Sequence, residues 1–192
     1  MTNINQKWQS IDGVHLSLAE EFTNGYNKRI TVSELSKKTG IPIRTAFRKI
    51  GVLNDMGFLS YEISGKNKTY YINKNHQITK TTLMLIETNK TIKFIERHPK
   101  ISIILDRLSE KNTIIIFGSY ANNTQKKDSD IDILIFNESE NITLPIKTHT
   151  QQTSYDKFKK ALLKKNALAM EIYDNHIIFG DINKIVNLFI KA

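Results

Sequence analysis

Residues 114–136 read IIIFGSYANNTQKKDSDIDILIF. Four apolar residues run into Gly118-Ser119. After ten intervening residues, Asp130 and Asp132 flank Ile131 and lead into a second apolar run. Both apolar runs have the length and β-branched content of buried strands. Alternate residues of a strand share a face, so Asp130 and Asp132 are expected on one side, with Ile131, Ile133 and Ile135 turned into a core. Two carboxylates so close repel each other unless a cation lies between them.

Magnesium prefers oxygen donors and commonly binds through one or two carboxylates completed by substrate phosphates. The Gly118-Ser119 corner supplies what such a phosphate needs. A glycine directly after a strand allows close backbone approach, and amides with a hydroxyl at a helix start can cradle an anion. The stretch therefore predicts a site where phosphates lie above a Mg²⁺ held by two carboxylates, suited to nucleotidyl or phosphoryl transfer. Gly118 and Ser119 are expected on phosphate, and Asp130 and Asp132 as metal ligands and catalytic carboxylates.

This pattern resembles the minimal nucleotidyltransferases of the DNA polymerase β superfamily, whose signature is Gly-Ser, about ten residues, then Asp-x-Asp. GSYA and DSDIDILIF resemble the family's corner and metal strand, and NALAMEIYDNHIIFGD (166–181) is similar to the end of these small domains. The resemblance covers residues 97–185. It implies a mixed sheet flanked by helices, Mg²⁺ and a nucleoside triphosphate. It also implies a third carboxylate on a following strand. The expected strand is ITLPIKTH (142–149), which offers Lys147 and His149 but no acid. Glu138 and Glu140 fall in the loop before it. His149 could serve as a base near neutral pH. The family's usual glycine after GSYA is replaced by Asn123, which tolerates the left-handed conformation better than most residues.

Upstream, GVHLSLAEEFTN (13–24) predicts a first helix. In ITVSELSKKTG, Thr31 with Glu34 forms a capping box and Gly40 a C-terminal stop. IPIRTAFRKIGVLNDMGF places apolar residues at 43, 46, 47, 50 and 53, a helical spacing. Phe47, Ile50, Leu53 and Phe58 are expected in the core. FLSYEISGKNKTYYIN predicts a hairpin turning at residues 64–68. Helix, helix, turn, helix, hairpin resembles a winged helix-turn-helix domain over residues 10–75. The resemblance implies that Arg44, Thr45, Arg48 and Lys49 face the major groove of double-stranded DNA, with Lys66 and Lys68 at the hairpin tip near a neighbouring groove or backbone.

The expected organisation is α+β: a winged helix over 1–76, a linking helix over 77–96 and a nucleotidyltransferase-type mixed sheet flanked by helices over 97–192. Charge agrees with a polyanionic partner. The 192 residues carry a net charge of +9, and residues 1–76 hold eleven Lys/Arg against six Asp/Glu. The chain has no cysteine, which removes disulfides, thiolate zinc sites and a cysteine nucleophile. The first residues, MTNINQKWQS, lack a charged-then-apolar pattern, so no secretion signal, no membrane partner and a cytoplasmic location are expected. Trp8 is expected to pack on the first helix.

These features lead to one expectation with two rivals. The first is a DNA-binding transcription regulator whose second domain binds Mg²⁺-triphosphate and transfers a nucleotidyl group, AMP, to a protein acceptor. The rivals are an inactive nucleotidyltransferase-fold scaffold in a winged-helix regulator, and an active transferase whose winged helix only recruits substrate. A homodimer fits each of them.

Overall fold

The computed structural model describes residues 11–65, 67–137 and 144–192. Lys66, Trp8, Glu138 and Glu140 lie outside the described residues. The chain divides into two compact units, Met1–Ile86 and Glu87–Ala192. The division falls inside the helix that the sequence assigns as a linker.

The first unit opens with α1 (Gly13–Thr23). Asp12 caps it, accepting from the backbone N–H groups of Val14 and His15. β1 (Ile30–Thr31) leads into α2 (Val32–Thr39). Thr31 and Glu34 form the reciprocal capping box that the sequence predicts, and Gly40 ends the helix in the left-handed conformation. α3 (Ile43–Asp55) follows after three residues, Gly40 to Pro42. β2 (Leu59–Ser64) and β3 (Asn67–Ile72) form an antiparallel hairpin, and β1 adds to β3, giving the order β1-β3-β2. The core of this unit is built from Leu18, Phe22, Leu35, Ile50, Leu53 and Phe58, among others. Each fully buried side chain of this size contributes about 1.5–3 kcal/mol relative to exposure.

Phe47 does not join that core. It is 61% exposed, contrary to the expectation from spacing. The reason lies in the geometry of α3. Its apolar residues fall on two i, i+4 rows, and only the row through Ala46 and Ile50, with Leu53, faces inward. Ile43 and Phe47 lie on the other row.

α4 (Thr79–Arg97) begins in the first unit and ends in the second. α5 (Pro99–Ser109) starts with proline at its first position, where a missing N–H costs no hydrogen bond. The second unit is a four-stranded sheet in the order β6-β5-β4-β7. Its strands are β4 (Ile114–Phe117), β5 (Ile131–Ile135), β6 (Thr148–Gln152) and β7 (Ile177–Phe179). β4 pairs antiparallel with β5 and β7, whereas β5 pairs parallel with β6. One face packs Ile114, Ile116, Ile131, Ile133 and Ile135 against Phe94 and Leu105. α7 (Tyr155–Leu163), α8 (Ala167–Asp174) and α9 (Ile182–Ile190) supply Phe158, Tyr173 and Phe189 to a further aromatic cluster with Phe136. Both faces of β4 are thus covered, which explains four consecutive buried residues instead of alternation.

The third strand differs from the expected ITLPIKTH. β6 starts at Thr148, after a bend at Pro145 and Ile146. Proline has no N–H to give to a ladder, so the chain joins the sheet only beyond it.

A buried ionic group fixes α4 to β7. Glu87 meets Lys90 Nζ at 2.8 Å and His176 Nε2 at 3.1 Å. Beside it, the hydroxyl of Thr91 donates to the Ile178 carbonyl. Burial alone would raise the Glu87 carboxyl, but Lys90 and His176 outweigh it and hold it down at about 2.

Candidate functional site

β4 ends at Phe117, which pairs with Asp132, so the residue after it turns over the start of β5. Gly118 makes that turn with φ of +65°, in the left-handed region. A Cβ at this position would overlap Asp132 Oδ2. The carboxylate thus lies directly against the glycine, an approach no other residue type allows. Gly118 through Ala121 form a single helical turn, α6. It closes through Asn122 N–H to the Gly118 carbonyl and Thr124 N–H to the Ser119 carbonyl. Asn123 adopts φ of +56°, the conformation for which asparagine is suited.

Asp130 and Asp132 flank the buried Ile131, as strand alternation requires. Both carboxylates are partly exposed, and each has a partner at the start of β6. Lys147 Nζ lies 2.6 Å from Asp130 Oδ1. His149 stands opposite Asp132 in the parallel register, with Nδ1 3.3 Å from Oδ1. The position across from the second carboxylate is therefore an imidazole.

Two carboxylates beside a glycine that leaves room for close approach suit Mg²⁺, which needs few protein oxygens when phosphate and water complete its shell. Lys147 competes for Asp130, but its side chain is 74% exposed and can move away. Among the described residues, no three His, Cys, Asp or Glu side chains gather into a metal cage. The residues fit one ion shared with a phosphate.

Residues 98–189 match the nucleotidyltransferase domain family. The match includes the Gly-Ser corner, both aspartates and all four strands of the second sheet. No curated protein and no solved structure was found to match the chain. The mixed sheet of the second unit, flanked by helices, is compatible with that family.

The sequence-predicted basic residues of the first unit do not all share one environment. Arg44 and Arg48 are exposed on α3, and neither makes a hydrogen bond or ion pair among the described residues. Thr45 is half-buried. Lys49 points toward α1, where its Nζ meets Asp12 Oδ2 at 2.6 Å and draws that carboxyl well below the ordinary range. Lys68 is exposed, with its ammonium 4.1 Å from the centre of the Tyr61 ring. The sequence reading missed the exposed aromatic between Arg44 and Arg48, although the two i, i+4 rows on α3 were there to be read.

Among the described residues, no helix is long and apolar enough to cross a membrane.

Proposed function

We propose that the nucleotidyltransferase domain binds Mg²⁺ with ATP or another nucleoside triphosphate and transfers AMP slowly to a hydroxyl of a protein acceptor. The observation that carries this reading is the convergence of Gly118, Asp132 and His149 at one point of the sheet. Gly118 and Ser119 hold phosphate through backbone amides and the serine hydroxyl. Asp130 and Asp132 hold the metal, which supplies charge neutralisation at the phosphates. His149 takes the proton of the acceptor hydroxyl as its oxygen bonds to the α-phosphorus and the bond to pyrophosphate breaks.

The first unit is read as a winged helix that binds double-stranded DNA, which makes the protein a transcription regulator of the cytoplasm. Support comes from the order helix, strand, helix, helix, hairpin and from the two unpartnered arginines on α3. The test combines two measurements on the full chain. Incubation with α-labelled ATP and a co-expressed protein partner should label that partner, and duplex binding should weaken with salt. Failure to bind any triphosphate in the presence of Mg²⁺ would overturn the first reading. Duplex affinity that is absent at low salt would overturn the second.

A further inference from the structure

We propose that Phe47 reads thymine: α3 presents its ring between Arg44 and Arg48 to pack against a thymine C5-methyl group in the major groove. The inference rests on the duplex-binding reading above. Phe47 is 61% exposed and Ile43, one turn earlier on the same row, is 53% exposed. Neither is a core residue left over, because Ala46, Ile50 and Leu53 already complete the inward face of α3. An aromatic ring held in water on a well-formed helix leaves a large apolar surface uncovered.

The next position on that row is Gly51. Mid-helix glycine weakens a helix relative to alanine, and here nothing in the unit calls for it: a Cβ would meet no atom within 4 Å. A partner that comes close to the helix backbone does call for it. The face offered outward is thus apolar along one row, open at Gly51, and cationic along the adjacent row at Arg44 and Arg48.

Charge selects the occupant. The two arginines face no carboxylate partner among the described residues, and Lys68 stands on the far side of a groove of about 680 Å³ that Phe47 lines. The groove's one carboxylate, Glu34, is engaged by the N–H and hydroxyl of Thr31. A polyanion answers this pattern. The thymine methyl is the apolar group that a major groove displays, and a phenylalanine side chain contacts it without hydrogen bonding.

The experiment begins by selecting duplexes from a randomised pool with the full chain at moderate salt. In the best duplex, each thymine is then replaced singly by deoxyuridine, which removes only the methyl group. The wild type should lose about fourfold in affinity at one or two positions, the effect of one buried methyl. Phe47→Ala should bind the thymine and uracil duplexes equally, and Phe47→Leu should keep part of the discrimination. Equal binding of every uracil duplex by the wild type would overturn the thymine reading while duplex binding stands. Retention of no duplex would overturn both. A self-association that Phe47→Ala abolishes, with duplex binding unchanged, would assign the face to a second copy instead.

Discussion

His149 faces Asp132 across the parallel β5–β6 pair, its Nδ1 3.3 Å from Oδ1. The residue opposite the second carboxylate is therefore an imidazole, and residues 144–152 leading into and through β6 contain no acid. A histidine can accept a proton near neutral pH, but it adds no negative charge to attract a second cation. We expect single-turnover AMP transfer to be slow. His149→Ala should slow it further by about 10²-fold or more. His149→Asp, which restores a carboxylate opposite Asp132, should accelerate it when Mg²⁺ is raised. A wild type that turns over fast and is insensitive to His149→Ala would place the base elsewhere.

Triphosphate binding should require the divalent cation, because Asp130 and Asp132 alone repel it. Asp132→Asn should weaken the Mg²⁺-dependent affinity in calorimetric titration. Equal affinity with and without Mg²⁺ would contradict the assignment.

Lys147 sets a competing term. Its ion pair with Asp130 is largely exposed, and such pairs contribute about 0–1 kcal/mol after solvent screening. Lys147→Met should therefore raise Mg²⁺ affinity by no more than about fivefold. A much larger gain would mean that the ammonium blocks the site.

Duplex binding should separate the basic residues by environment. Arg44→Ala with Arg48→Ala should cost about 1–3 kcal/mol for each arginine on a base edge and relax sequence preference. Lys68→Ala should lower the salt slope and leave preference intact. Lys49→Ala should act on stability, since its ammonium caps the Asp12 carboxylate at the start of α1. Fluorescence anisotropy across a salt series distinguishes these outcomes.

The buried Glu87 predicts acid sensitivity. Its folded carboxyl is held at about 2, below the ordinary 4.5. The stabilisation is therefore present above pH 4.5 and is lost as pH falls toward 2. Glu87→Ala leaves Lys90 and His176 without their carboxylate and should cost about 3–5 kcal/mol. Glu87→Gln should be less stable at neutral pH but lose less on acidification. Urea unfolding at several pH values checks both.

The sequence displayed the carboxylate pair and the Gly-Ser corner because both depend on local rules: strand alternation and the backbone freedom of glycine. The Thr31–Glu34 cap and the left-handed Asn123 were legible for the same reason. The partners of the aspartates were not. Register between parallel strands is set by tertiary packing, and Pro145 delays the third strand until Thr148, so nothing local places His149 opposite Asp132. Phe47 failed differently. Two apolar rows on one helix satisfy the same periodicity, and only the packing partners choose between them.

Gly118 also offers a way to silence the site without touching its charge. Any Asp130 or Asp132 neutralisation shifts the whole protein further from its +9 and so disturbs every salt-dependent measurement made on it. Gly118→Ala would push a methyl into Asp132 Oδ2 while leaving the isoelectric point as it is. An electroneutral lesion of this kind is the control for asking whether nucleotide occupancy alters duplex affinity, because the charge of the protein itself stays as it was.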